Sequence, residues 1–228
     1  MNRARVTVAN VTGDNMKNAL VVWGGLELHE PQKGAETVAA ILREEGFNVE
    51  VTPNYAALGD AGVSGRDLVV PVITGGVLEK SALAGLMEAV KQGTGIAAYH
   101  GGMTTNFRDN VDFRYMAGSF WVCHPGDILT YPVDVVASDD PIMAGIESFE
   151  HTSEQYYLQY DPAVSVLATT TFSGEHHPWR RNVVMPVVYK TNYGTGRVFY
   201  SSLGHLAAEL KKPQIETILR RGLVWAAR

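Results

Sequence analysis

Gly95-Ile96-Ala97-Ala98-Tyr99-His100-Gly101-Gly102 is the stretch that decides the fold. Its first five residues form a short continuous apolar run, and small residues follow His100, so the pattern predicts a buried strand that ends in a tight turn. Residues 68–73 and residues 19–23 are two further runs of this kind, each followed closely by a Gly-Gly pair. Strands that are apolar throughout are typical of a parallel sheet covered on both faces.

Helical patterns separate these apolar runs. Residues 31–45 carry apolar side chains at three- and four-residue steps and end before Gly46, which suits a left-handed helix cap. Residues 80–92 repeat this pattern and end before Gly93, while residues 47–51 alternate between apolar and polar side chains. Strands that alternate with helices in this way predict an α/β fold of three layers with a mainly parallel sheet.

The C-terminal half predicts an antiparallel extension of that sheet. Residues 131–136, 165–170, 183–190 and 197–201 have the composition of strands. Tyr193-Gly194-Thr195-Gly196 lies between the last two and is typical of a hairpin. Residues 213–227 predict a closing amphipathic helix with Pro213 in its first turn. No repeat, low-complexity tract or linker interrupts the chain, so we expect one domain over residues 1–228.

Composition excludes several classes of partner. The 228 residues carry 19 Lys+Arg against 24 Asp+Glu, a net charge of −5 without a basic cluster, so nucleic acid is not expected. Cys123 is the only cysteine, which excludes an internal disulfide and favours a cytoplasmic protein. Residues 1–15 lack the apolar core of a signal peptide, and no apolar run approaches the roughly 18 residues that cross a bilayer. We therefore expect neither export nor a membrane partner.

Polar residues that follow the predicted strands are the candidate site, because ligands of open α/β sheets bind beyond the carboxyl ends of the strands. His100 occupies a strand-to-helix turn like that of a nucleophile elbow, but its imidazole transfers protons near neutral pH or binds a metal instead. His205 follows another predicted strand, and His124 lies in a Pro-Gly turn. His29 and Thr74 also come after strands. Two or more of these imidazoles are expected to face one crevice, less than about 10 Å apart.

Glu154 is the carboxylate that we expect to orient an imidazole or to act as a base, so the predicted catalytic set is His100, His205 and Glu154. The predicted substrate-binding residues are Trp23, Gly24, Gly25, Tyr99, Gly101, His124 and Tyr156. Tyr157 and Trp179 are further aromatic candidates for stacking on a sugar ring. The candidate metal ligands are His100, His124 and His205, and a divalent metal is the one cofactor left open, since no GxGxxG or P-loop pattern occurs.

Each candidate has a plainer alternative. His100 in this alternative only hydrogen-bonds to neighbouring backbone, His124 is a surface turn residue, and Glu154 is a solvated strand charge. Aromatic residues beside strands are more often core than ligand-binding. His151, His176 and His177 are expected to be polar loop residues, and Cys123 a small buried side chain.

Several stretches resemble the ThuA-like (trehalose utilisation) family within the class I glutamine amidotransferase-like superfamily. The matching pieces are residues 19–25, Tyr99-His100-Gly101-Gly102, His124-Pro125, Asp140-Pro141-Ile142 with Gly145-Ile146, Glu154-Gln155-Tyr156-Tyr157, and residues 186–189 and 193–200 through Leu203-Gly204-His205. The resemblance implies a flavodoxin-like three-layer sandwich and a role in bacterial sugar catabolism, on a keto-disaccharide or related glycoside. Amidotransferases carry a nucleophilic Cys where this chain has His100, and an acidic residue where it has Ala207, so glutamine hydrolysis is excluded.

The leading hypothesis is therefore an enzyme, a keto-sugar isomerase or lyase, that works by histidine-based acid/base or metal-assisted chemistry. The alternative is a non-catalytic sugar-binding or regulatory module that kept the crevice. A third hypothesis is a structural subunit that docks a dehydrogenase. A small-molecule sugar is the expected partner, and homo-oligomers are compatible with such a domain.

Overall fold

A nine-stranded sheet runs through the part of the chain that the computed structural model describes, residues 16–228. Residues 1–15, on which the expectation of no export signal rests, lie outside the described residues. The strands of this sheet are β1 (Asn18–Gly25), β2 (Asn48–Thr52), β3 (Leu68–Thr74), β4 (Gly95–Tyr99), β6 (Ile128–Val135), β7 (Phe149–Glu154), β9 (Ser165–Thr171), β10 (Val184–Tyr193) and β11 (Gly196–Ser201). The strands β5 (Ser119–Cys123) and β8 (Tyr157–Tyr160) pair with each other antiparallel.

Helices cover both faces of the large sheet. They are α1 (Pro31–Glu44), α2 (Asp60–Val63), α3 (Lys80–Lys91), α4 (Gly101–Thr104), α5 (Val111–Ala117) and α6 (Pro213–Ala226). The apolar side chains of α1 and α6 pack into one core, and those of α3, α4 and α5 into a second core on the opposite face. The predicted three-layer α/β fold is thus confirmed. Within residues 16–228, no helix is both long enough and apolar enough to span a bilayer.

The sheet changes from parallel to antiparallel along its width. Its order is β2-β1-β3-β4-β11-β10-β9-β6-β7. The first five strands in this order are parallel to one another. The last four, β10, β9, β6 and β7, each pair antiparallel with the strand that precedes them in the order. The parallel part has the 2-1-3-4-5 arrangement of flavodoxin-like folds, whose ligand crevice lies where the strand order reverses, between β1 and β3. The predicted hairpin joins β10 and β11, and the predicted antiparallel extension is confirmed.

The polar segment before Glu154 forms a strand that its sequence does not indicate. Phe149–Glu154 contains one apolar residue, yet it pairs with β6 over its whole length as β7. His151, expected in a loop, is instead a buried strand residue, and its Nε2 lies 3.1 Å from Glu209 Oε2. The expectation for His151 was wrong, because buried polar partners replace the apolar alternation on which strand prediction depends. Cys123 is only partly buried at the end of β5.

Candidate functional site

Four titratable side chains from distant segments meet at the carboxyl edge of the parallel strands. They are His29, His100, Glu154 and His205, which together form the histidine cluster. Each offers one imidazole nitrogen or carboxylate oxygen, and these atoms all lie within 4.8 Å of one another. The ring centroids of the three histidines are 4.7, 4.8 and 5.2 Å apart. The imidazoles are therefore much closer together than the upper limit of about 10 Å set by shared acid/base contacts.

The topology explains why these residues meet. His29 ends a 3₁₀ turn, Glu27–His29, that follows β1, while His100 directly follows β4 and His205 comes shortly after β11. Because β1, β4 and β11 run parallel, their carboxyl ends reach the same edge of the sheet. Glu154 is the last residue of β7 and reaches this edge from the antiparallel extension. Both halves of the chain thus contribute to the site.

The Glu154 carboxylate lies beside three imidazoles. Its Oε2 lies 3.0 Å from His100 Nε2, and its Oε1 lies 3.3 Å from His205 Nδ1 and 3.7 Å from His124 Nε2. The side chain is only 11% exposed. Glu154 is therefore a buried carboxylate directed at histidines, and not the solvated strand charge of the plainer alternative.

The backbone of His100 is held in a conformation that side chains rarely adopt. Its φ is 48° and its ψ is −123°. The amide of His100 donates to the Ser201 carbonyl at 2.7 Å, and its own carbonyl accepts hydrogen bonds from the Tyr200 hydroxyl at 2.7 Å and from Thr104 Oγ1 at 3.2 Å. Such strain persists only where surrounding contacts impose it, and it is concentrated at functional sites. Here it directs the imidazole to Glu154 Oε2 and the Tyr156 hydroxyl, 2.9 Å from Nε2.

The strain at His100 predicts a difference between two substitutions that both remove the imidazole. His100→Gly is expected to be more stable than His100→Ala by about 1–2 kcal/mol, because glycine adopts a positive φ without steric conflict. Urea unfolding of the two variants measures this difference. Equal free energies of unfolding would contradict a strained backbone at this position.

The environments of the cluster shift its pKa values in different directions. Burial lowers the pKa of His100, although Glu154 opposes the shift. Burial, together with the neighbouring imidazoles of His100 and His205, lowers the pKa of His29 to about 4. The adjacent Glu154 carboxylate raises the pKa of His205 against the effect of burial. Burial alone would raise the pKa of Glu154, but contacts with the His100 and His205 imidazoles outweigh it and keep this pKa low. At neutral pH, Glu154 is therefore an anion and His29 a neutral imidazole.

A cleft of about 560 Å³ opens beside the histidine cluster. Its polar lining includes His29, Glu154, His205, His124, Tyr156 and Arg108, and its apolar lining includes Leu26, Leu28, Trp121 and Ile128. A volume of this size is within the range of small-molecule sites, which combine apolar walls with a few polar groups. Of the predicted substrate-binding residues, His124 and Tyr156 lie in this wall.

Other predicted substrate-binding residues have structural positions instead. Trp23 packs against the core formed by α1 and α6, and the Tyr99 hydroxyl lies against Gly34 of α1, within 2.1 Å of where a Cβ would be. A Cβ at Gly25 would lie 2.1 Å from the Thr74 carbonyl oxygen, and one at Gly101 would lie 2.5 Å from Thr74 Oγ1. Both glycines allow Thr74 to approach the backbone closely, and this explains them without a ligand.

The remaining residues singled out from the sequence lie outside the cleft wall. A Cβ at Gly24 would meet the Tyr55 ring, with the hydroxyl oxygen at 2.5 Å. Tyr157 packs edge-on against Phe172, and Trp179 is 69% exposed and stacks on His177. Whether a residue on a strand or turn lines the cleft depends on the direction of its side chain. That direction depends on strand register, which local sequence does not define.

Sequence reasoning assigned no role to two residues that the structure places at the site. His29 was recognised only as a strand-end residue, and that position was the available signal. Glu209 accepts hydrogen bonds from Ser153 Oγ at 2.9 Å and from the His205 amide at 3.2 Å. It also lies beside His151, so it anchors the loop that carries His205. Amidotransferases carry their acidic residue at the position of Ala207, two residues after His205. Glu209 comes four residues after His205 and contacts its backbone rather than its ring, so that comparison could not reveal it.

Comparisons with known proteins agree with this architecture. Residues 18–226 match the ThuA family, described as trehalose utilisation. The chain is similar to a ThuA-like protein from Parabacteroides merdae ATCC 43184, with 18% identity, a TM-score of 0.77, and coverage of 93% of this chain and 90% of that one. A ThuA-like protein from Bacteroides uniformis ATCC 8492 has 14% identity and a TM-score of 0.74, with coverage of 96% of this chain and 95% of that one. The cytoplasmic protein STM1381 from Salmonella typhimurium LT2 has 13% identity and a TM-score of 0.64, with coverage of 93% of this chain and 100% of that one. At these identities the likeness shows the fold alone. No curated protein matches the chain significantly.

Proposed function

Because the chain belongs to the ThuA family of trehalose utilisation, we propose that it is an enzyme of sugar utilisation that acts on a keto-disaccharide or related glycoside, as an isomerase or a lyase. The observation that carries this proposal is the convergence of the histidine cluster beside a ligand-sized cleft, whose wall includes His29, Glu154 and His205, with His100 buried behind them. A non-catalytic sugar-binding module needs no buried carboxylate held against imidazoles, because neutral sugars are recognised by hydrogen bonds and apolar contacts.

The chemistry follows from the acidity that a ketone gives to the C–H bond of its neighbouring carbon. A base removes the proton from that carbon, and the electron pair moves into an enolate whose oxygen needs a donor or a cation. Where that carbon bears a hydroxyl, the enolate is an enediolate. An isomerisation is completed when the hydroxyl proton passes to the former ketone oxygen and the base returns its proton to the former ketone carbon. Where the glycosidic oxygen is bonded to the next carbon, the enolate instead expels it. The glycosidic bond breaks, the ketone re-forms beside a carbon–carbon double bond, and the leaving oxygen takes up the proton that the base removed.

The residues of the cleft suit these two requirements. Imidazoles and the Glu154 carboxylate supply groups that accept a proton, and all of them lie within a few ångströms of the cavity. The Tyr156 hydroxyl lies 2.9 Å from His100 Nε2 in the same wall and supplies a donor for the ketone oxygen. Burial raises the pKa of Tyr156 well above its usual value, so this phenol keeps its proton at neutral pH.

The proposal is tested by incubating the purified protein, supplied with divalent metal, with 3-keto-trehalose in D₂O. Proton NMR is expected to show deuterium at the carbon next to the ketone, followed by an isomerised sugar or released glucose. His205→Gln is expected to slow this exchange at least about 10²-fold, the lower end of the effect of a positioned acid/base group. His177→Gln, which changes an imidazole outside the cleft, is the matched control and should exchange at the wild-type rate.

Calorimetric titration separates the enzyme from the binding module. Sugar binding with neither deuterium uptake nor bond cleavage, together with unchanged behaviour of His205→Gln, would support the module and refute the enzyme.

A further inference from the structure

The histidine cluster has the composition of a metal centre. Three imidazole nitrogens and one carboxylate oxygen form a ligand set suited to a first-row divalent ion such as Zn²⁺ or Fe²⁺. An ion with bonds of about 2.0–2.2 Å holds its ligand atoms roughly 3–4 Å apart. The four atoms of the cluster lie within 4.8 Å of one another, so small side-chain rotations bring them onto one ion.

Without an ion, the cluster leaves a buried group unsatisfied. His205 Nδ1 is buried and lacks a hydrogen-bond partner of good geometry among the described residues, although Glu154 Oε1 lies 3.3 Å away. An unpaired buried polar atom costs about 1–3 kcal/mol, and such an atom in a native structure calls for a partner. The three rings are also too close together for all of them to carry a proton's charge, since like charges at this distance repel strongly. A single cation between the rings and the carboxylate satisfies both conditions.

Neighbouring groups orient the ligands as they do in metal sites. Imidazoles that bind metals usually engage the other ring nitrogen in a hydrogen bond, which fixes the ring. His29 Nδ1 lies 2.9 Å from Thr74 Oγ1, and this contact leaves Nε2 available as the ligand atom. Glu209 holds the backbone of His205, and the strained backbone of His100 fixes the third ring.

We propose that the histidine cluster binds one divalent transition-metal ion. This set differs from the sequence-based one, since His29 and Glu154 join it and His124 does not. The His124 ring stacks on Tyr156 and lies beside Trp121, and its Nε2 is 3.7 Å from Glu154 Oε1. His124 therefore stays in the cleft wall, outside the ligand set.

A bound ion would act as a Lewis acid on the ketone of the substrate. Three members of the cluster line the cleft, so a bound ion has one side open to a ligand and polarises a carbonyl oxygen placed there. This role rests on the proposed function, whereas the metal site itself does not require it.

Metal binding is measured directly. Protein stripped with a chelator is dialysed against Zn²⁺, bound metal is determined by elemental analysis, and Co²⁺ replaces Zn²⁺ for a visible absorption spectrum of histidine ligation. Wild-type protein is expected to bind about one ion per chain. His29→Gln is expected to weaken the affinity more than about 100-fold, beyond what the loss of an outer partner costs. His124→Gln, the matched control, is expected to stay within about threefold of wild type, because it is no ligand in this set.

Thermal unfolding checks that the variants are folded, with Zn²⁺ expected to raise the Tm of wild type and of His124→Gln but not of His29→Gln. Binding of less than about one ion per ten wild-type chains, or equal affinities of wild type and His29→Gln, would overturn the proposal. So would loss of binding in His124→Gln, because the ligand set would then be wrong.

Failure of the metal site and failure of the proposed function are distinguishable. Wild-type protein that binds no Zn²⁺ but still converts 3-keto-trehalose would refute the metal site and support the enzyme. Protein that binds Zn²⁺ through His29 but leaves the sugar unchanged would support the metal site and refute the enzyme.

Discussion

Glu154→Gln is expected to lower the turnover of a keto-sugar by at least about 10³-fold, through the combined loss of a charged acceptor and of imidazole positioning. The carboxylate contacts His100 through Oε2 and His205 through Oε1, and it is the one anionic member of the histidine cluster. Glutamine keeps the shape of the side chain but removes the negative charge and one acceptor oxygen. Exchange of deuterium next to the ketone, and the affinity for Zn²⁺, are the two measurements.

Glu150→Gln is the matched control for this substitution. Glu150 lies on the same strand, β7, but its side chain is exposed, so its turnover and its Zn²⁺ affinity should equal those of the wild type. If Glu154→Gln keeps wild-type turnover, the histidine cluster is not the reaction centre.

Glu209→Ala is expected to destabilise the fold by about 3–5 kcal/mol, because three buried groups lose their acceptor and each unsatisfied buried donor costs about 1–3 kcal/mol. Its carboxylate accepts hydrogen bonds from Ser153 Oγ, the His205 amide and the His151 ring. Lys212 Nζ approaches the other side of the His151 ring at 3.3 Å. Alanine leaves these groups without an acceptor in the interior. Chemical unfolding monitored by circular dichroism measures the loss, and the Tm should fall by roughly 6–20 °C for a chain of this size.

Two further substitutions define the origin of that loss. Glu209→Gln retains an acceptor oxygen and should lose less stability than Glu209→Ala. Glu36→Ala changes an exposed glutamate on α1 that contacts only Gln32 among its hydrogen-bond partners in the described residues, and it should shift the free energy of unfolding by less than about 0.5 kcal/mol. A Glu209→Ala variant as stable as Glu36→Ala would show that the buried cluster around Glu209 contributes nothing.

The two parts of the sheet have different roles in the site. The parallel part presents the imidazoles, because His29, His100 and His205 all follow strands whose carboxyl ends share an edge. The antiparallel extension adds the Glu154 carboxylate and, just beyond β7, Tyr156. A flavodoxin-like sheet alone would therefore supply proton carriers or nitrogen ligands without the anion that holds them. This division makes the extension, which local sequence indicates only in part, necessary for the proposed chemistry.

Local sequence patterns were sufficient for most of the fold. Continuous apolar runs marked β1, β3 and β4, three- and four-residue periodicity marked α1, α3 and α6, and a glycine-containing turn marked the β10–β11 hairpin. Each of these signals depends on neighbours a few residues away, which is why each could be recognised in isolation. Strands β5, β7 and β8 were not recognised. Strand β7 is mostly polar, and its polar side chains are paired with residues far along the chain.

By itself, the sequence determined the α/β architecture, the strand ends that carry His100 and His205, and Glu154 as the candidate carboxylate. Only the tertiary structure decided that His29 joins them, that His124 lies to one side, that Trp23 and Tyr99 pack inward, and that Glu209 anchors the His205 loop. The physical reason is range: periodicity and turn chemistry act between neighbours in the chain, whereas a site is defined by distances between atoms whose residues are 50 to 180 positions apart. Those distances depend on strand order and register, which packing of the whole sheet sets.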